Sequence, residues 1–95
     1  MLTSKERSHL KALANNITAI FQIGKEGIGP NLEKQVLEAL EARELIKVNV
    51  LNNSLLEPKE VGEELANNIE AELVQVIGNK IIIYKKSKEN PKIQL

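Results

Sequence analysis

The sequence contains no cysteine, which excludes disulfides, thiolate metal sites and cysteine nucleophiles. It holds one Phe, one Tyr and no Trp, so Phe21 and Tyr84 are the only aromatic rings. The core must therefore be aliphatic, and base stacking on aromatic side chains can contribute little to any nucleic-acid contact. No apolar run approaches the length of a membrane span, and the N-terminus lacks the basic-then-apolar pattern of a secretion signal. A soluble, cytoplasmic chain is expected. Net charge is also missing: 13 Lys and Arg balance 13 acidic residues. His9 is the only histidine, and its neighbour Ser8 would point to a different face of a helix. Glu60 and Glu64 share a helix face but have no histidine to complete a metal site. Nothing calls for catalysis, a metal or a cofactor.

What is present fits one small α/β domain. An apolar fraction of 42% over 95 residues suffices for a single core. Thr3 and Glu6 fit a capping box, and Leu10, Leu13, Ala14 and Ile17 then mark one helical face. Asn15-Asn16 suits a stop, with asparagine in the left-handed region. Residues 18–23 are short, apolar and β-branched, as a buried strand would be. A helix is expected from Pro30 to Arg43, with Leu32, Val36, Ala39 and Leu40 on its apolar face. Ile46, Val48 and Val50 alternate with polar residues as in a strand. Pro58 opens a third helix through Val61, Leu65 and Ile69, with Glu57, Glu60, Glu63 and Glu64 near its positive dipole end. Residues 73–77 and 80–84 read as strands joined by a hairpin at Gly78-Asn79.

The order is α-β-α-β-α-β-β: a four-stranded mixed sheet packed with three helices in one compact domain. Strands linked by helices should pair in parallel, and the final hairpin should add an antiparallel strand. Residues 1–87 form the domain on this reading, and residues 88–95 a polar, flexible tail.

Charge is distributed unevenly. Residues 1–34 carry five Lys/Arg against three Glu, residues 35–75 three against nine, and residues 76–95 five against one. If the fold joins the two ends, one side is basic and the other acidic.

The candidate site is the loop Gly24-Lys25-Glu26-Gly27. It is neither a P-loop nor a dinucleotide fingerprint, because the residues that define each are missing. It does place G-x-x-G at the mouth of a helix. Two glycines let the backbone approach a phosphate and turn N–H groups outward. The helix beginning near Pro30 adds its own unpaired N–H groups, and Lys25 adds a full charge. KH domains clamp nucleotide backbones with the same device. On spacing alone, a purely structural turn is the competing explanation.

At this point the residues resemble a known family. Gln22 to Ile28 is similar to the first strand and G-x-x-G loop of the CRM (YhbY-like) domain, and Glu41 to Val50 to its helix-to-strand junction. Leu10 to Asn15, Pro58 to Val61, Ala71 to Gly78 and Asn79 to Lys85 resemble further segments in the family's order. The likeness spans residues 2–87. It implies the family's fold, related in shape to the C-terminal domain of bacterial initiation factor three. It also implies binding to ribosomal RNA on precursors of the large ribosomal subunit, as an assembly factor. Carried over, Gly24, Lys25, Glu26 and Gly27 become a clamp for the RNA backbone. Lys5, Arg7, Lys11, Lys80, Lys85 and Lys86 are the candidates for flanking phosphate contacts, and a monomer is expected. The alternative function is a protein-interaction adaptor that docks on the ribosome or a partner through its acidic helices, with the glycine loop purely structural.

Overall fold

The chain enters its first helix through a reciprocal pair of hydrogen bonds. Thr3 Oγ1 accepts from Glu6 N at 3.1 Å, and Glu6 Oε1 accepts from Thr3 N at 2.9 Å, as a capping box requires. The computed structural model describes residues 2–95. Met1, which the sequence reading places in the approach to this helix, lies outside them. The elements are α1 (Ser4–Ala14), β1 (Ala19–Ile23), α2 (Pro30–Arg43), β2 (Leu45–Val50), a short 3₁₀ turn (Asn52–Ser54), α3 (Pro58–Asn68), β3 (Glu72–Ile77) and β4 (Lys80–Tyr84). The order is the expected one. Asn15 ends α1 with φ of −61° rather than in the left-handed region. That region is adopted instead by Glu44, Leu55 and Glu70 among the non-glycine residues.

The four strands form one mixed sheet in the order β1-β2-β4-β3. β1 and β2 pair in parallel, as expected, but β2 and β3 do not pair at all. β4 lies between them, antiparallel to both. Burial explains the insertion. Ile81, Ile82, Ile83 and Tyr84 are all buried, whereas β3 carries Glu72 and Gln75 and is only partly covered. A strand apolar on both faces belongs inside the sheet, and one with polar positions tolerates an edge.

Two clusters cover the two faces. α2 and α3 pack Val36, Leu40 and Leu65 against Val48, Ile81 and Ile83. On the other face α1 packs Leu10 and Ala14 against Leu45, Val74, Ile82 and Tyr84, joined by Ile93 near the C-terminus. α1 and the segment around Ile93 therefore share one face, and the glutamate-bearing α2 and α3 share the other.

The segment read from sequence as a polar tail folds back along the end of α2. Glu44 is fully buried. Its carboxylate accepts the backbone N–H of Ser87 at 2.8 Å, of Ile93 at 2.7 Å and of Lys92. Glu41 accepts from Ser87 Oγ at 2.6 Å and from the N–H groups of Lys88 and Glu89 at 2.9 and 3.2 Å. Burial alone would raise the Glu44 carboxyl, but these donors, with the Lys86 charge nearby, hold it below its ordinary value of 4.5. Glu41 is held below 4.5 by Lys88 N–H first, then by Ser87 and Glu89. Burial, followed by the charges of Glu44 and Glu6, pushes the Tyr84 hydroxyl up.

Because both carboxyls titrate lower in the folded chain, the stability they contribute is present above pH 4.5 and lost as pH falls through the lower folded values. Amide exchange at Ser87, Lys92 and Ile93, taken relative to the intrinsic rate at each pH, should therefore accelerate in that acid window. Glu44→Gln should produce the same acceleration at neutral pH and cost about 1–2 kcal/mol. Unchanged exchange at those amides would show that the segment is held by other contacts.

Candidate functional site

Strand β1 runs directly into the glycine loop. Gly27 N donates to Gly24 O at 2.9 Å, closing a β-turn with Lys25 and Glu26 exposed at its tip. Gly27 has φ of +74°, which a residue with a Cβ adopts only with strain. Gly24 is different. A Cβ built there would meet only Leu51 Cδ1, at 3.7 Å, an ordinary contact. The protein's own packing would accept alanine at position 24.

The turn leads into a helix whose first turn is left open. Gly29 is the N-cap of α2 and offers no side-chain hydrogen bond, and Pro30 takes the first helical position. A Ser, Thr, Asp or Asn cap would have covered a backbone donor here. Among the described residues, the N–H groups of Lys25, Glu26, Ile28 and Gly29 reach no protein acceptor. Outward N–H groups beside an uncapped helix N-terminus form an anion-binding concavity.

A cleft of about 460 Å³ lies against this loop, bounded also by Gln22, Leu32, Leu51 and Asn53. Three connections meet around it. Leu51 N donates to Ile23 O at 3.0 Å, joining the loop after β1 to the segment after β2. Val50 N donates to Asn79 O at 2.7 Å, and Asn79 Nδ2 bonds Asn52 Oδ1, bringing in the β3–β4 hairpin. This gathering follows from strand direction: the C-terminal ends of parallel β1 and β2 meet the N-terminal end of antiparallel β4. Sequence reasoning missed Gln22 and Asn53. Their signal was weak: one polar residue within an apolar strand, and one asparagine within a polar turn.

Of the flanking basic candidates, Lys80 lies at this end, on the first residue of β4, with Nζ 3.2 Å from Asn49 Oδ1. Four steps of about 3.4 Å along β4 separate it from Tyr84, beyond which Lys85 and Lys86 follow. Lys85 Nζ donates to the carbonyls of Ile69 and Glu70 at 3.0 and 2.9 Å, closing the end of α3. Arg7 Nη1 donates to Leu73 O and Val74 O at 2.7 and 2.8 Å, where the β3–β4 register shifts. Lys11 is half-buried one turn further along α1, while Lys5 and Lys86 are exposed. Lys5 lies beside Gln94 and Leu95. Arg7 and Lys85 are thus tied into the fold, and most of the basic set sits away from the loop. His9 is exposed. Among the described residues, no group of three His, Cys, Asp or Glu could hold a metal ion, and no helix is long and apolar enough to cross a membrane.

The model of the CRS1/YhbY (CRM) domain matches residues 2–85. The chain belongs to that family. A Bacillus subtilis member, named probable RNA-binding protein YqeI, is 50% identical over 95 residues, covering 100% of this chain and 99% of its own. A Haemophilus influenzae protein named RNA-binding protein is 30% identical over 94 residues, covering 99% of this chain and 94% of its own. A solution structure from Staphylococcus aureus superposes with a TM-score of 0.83 at 54% identity, covering 100% of this chain and 99% of that one. The CRM sheet and helices thus recur in a solved relative, consistent with the expected fold class.

The two tied basic residues separate stability from surface charge. Arg7→Met and Lys85→Met should each lower stability by about 1–2 kcal/mol, since each strips charge-assisted donors from backbone carbonyls. Lys5→Met and Lys86→Met should stay within about 0.5 kcal/mol of the parent. Thermal denaturation of the four variants distinguishes the pairs, and equal melting temperatures would contradict the assignment.

Proposed function

We propose that this CRM protein binds RNA, with Gly24, Lys25, Glu26 and Gly27 clamping the sugar-phosphate backbone. The observation that carries the proposal is Gly24. Its backbone geometry and packing leave room for a Cβ, so a need outside the fold best accounts for glycine there. Close approach of a phosphate is such a need. The open donors around the loop and the Lys25 charge supply the attraction. The names of the relatives point the same way, to RNA as ligand.

The finer reading is a ribosome-assembly factor acting on precursors of the large subunit, in the cytoplasm, as a monomer without catalytic activity. It rests on the family resemblance. Lys80 extends the clamp at its own end of the sheet. Lys5, Lys11 and Lys86, with the remaining donors of Arg7, give a more diffuse field over the α1 face, while Lys85 is held at the end of α3. With one Phe, one Tyr and no Trp, recognition relies on RNA shape and backbone rather than on stacked bases.

Binding to large-subunit ribosomal RNA at two salt concentrations tests the clamp. Four neutralised phosphates on a single strand give a log–log salt slope of about −3. Gly24→Ala should keep the melting temperature and weaken binding roughly tenfold, equivalent to about 1.4 kcal/mol. Lys25→Asp should reduce the slope by about one. If both variants bind as the parent does, the loop is only a turn. A parent with no salt-sensitive RNA binding would favour a protein-docking role for the acidic α2 and α3 face.

A further inference from the structure

Strand register aligns three polar side chains beside the loop. Gln22 of β1 pairs with Asn49 of β2, and Asn49 pairs with Lys80 of β4. All three project from the α1 face, because their neighbours Ile23, Val48, Val50 and Ile81 belong to the cluster beneath α2 and α3. Neighbouring strands lie about 4.8 Å apart, so the row spans roughly 10 Å across the strands. α1 leaves it uncovered. Its buried residues Leu10 and Ala14 pack on Leu45, Val74, Ile82 and Tyr84, while Gln22 and Lys80 are exposed and Asn49 is half-buried. Lys47, two residues before Asn49 on the same face, is also half-buried and adds a positive charge.

The chemistry of the row is specific. Lys80 Nζ donates to Asn49 Oδ1 at 3.2 Å, which satisfies the amide oxygen and leaves the Asn49 Nδ2 donors free to point outward. Gln22 adds a second amide, able to donate or accept, and itself borders the cleft against the loop. Two adjacent amides match a hydroxyl, which also donates and accepts, better than they match a phosphate, which only accepts. The ribose 2′-hydroxyl is the group that distinguishes RNA from DNA.

We propose that Gln22, Asn49 and Lys80 form a second binding element that recognises ribose 2′-hydroxyl groups on a single RNA strand crossing β1, β2 and β4 from the glycine loop. The inference rests on the proposed binding of RNA, and the loop is the element proposed to hold the adjoining phosphates. The loop then supplies salt-sensitive affinity for any strand, and the sheet row supplies preference for ribose.

The test compares a mixed-sequence single-stranded RNA with the 2′-deoxy strand carrying the same bases. The proteins are the parent, Gln22→Val with Asn49→Val, and Lys25→Asp. Valine is favoured in strands, and thermal melting checks the fold. Should the double variant melt early, Gln22→Val alone, at an exposed edge position, carries the same comparison. The parent should prefer RNA. The valine variant should lose roughly tenfold on RNA and little on the deoxy strand, with an unaltered salt slope because no charge has changed. Lys25→Asp should weaken both strands alike and keep their ratio.

A parent without RNA preference, or a valine variant that retains it, overturns the row. If Lys25→Asp leaves both affinities intact while the valine variant abolishes the preference, the clamp reading fails and the row stands. A parent that binds neither strand overturns both.

Discussion

Four consecutive buried residues, Ile81 to Tyr84, compel β4 to take an interior place in the sheet, and much of the molecule follows from that demand. A strand with apolar side chains on both faces needs a layer above and a layer below, so α1 must cover one side while α2 and α3 cover the other. Each buried aliphatic side chain contributes roughly 1.5–3 kcal/mol relative to exposure. Moving β4 to an edge would forfeit part of that contribution for several residues at once. Its interior position also carries the β3–β4 hairpin to the end of the sheet where the glycine loop emerges.

The opposite end of the sheet is governed by carboxylates. Glu44 holds a left-handed backbone conformation, φ 66°, inside a site where its side chain is wholly buried. Both features are unfavourable taken singly. They are offset by the donors that converge on the carboxylate from Ser87, Lys92 and Ile93, and by its neighbour Glu41, which binds the adjoining stretch of chain. The C-terminal segment is thereby drawn over the end of α2, and Ile93 is delivered to the cluster beneath α1. A buried charge of this kind serves as a structural anchor, and it stands far from the loop where ligand chemistry is proposed.

At the loop the fold does the reverse and leaves polar groups unsatisfied. Gly27 is required by its backbone angle, Gly24 is permitted to be larger, and Gly29 declines the capping role that a short polar side chain would fill. These choices leave a row of N–H groups directed outward beside a helix terminus. Such groups are stabilised by water in the free protein and are available to an anion when one arrives. A chain without net charge can therefore still present a local site for phosphate, because the site is built mainly from backbone.

The sequence by itself determined the elements, their order and the loop. Thr3 and Glu6, the prolines at 30 and 58, and the alternation through Ile46, Val48 and Val50 are local signals, and local physics acts on them before any tertiary contact forms. G-x-x-G was legible for the same reason. Tertiary structure alone decided which strands pair, since β4 and β3 compete for the place beside β2 and only summed burial on both faces separates them. It alone tied Arg7 to the carbonyls of β3 and Lys85 to the end of α3, where sequence offered merely six basic residues of equal standing. It alone aligned Gln22, Asn49 and Lys80, because strand register is a relation between segments far apart in the chain. Side-chain chemistry is written one residue at a time, but shared location is fixed only when the sheet closes and the core chooses its sides.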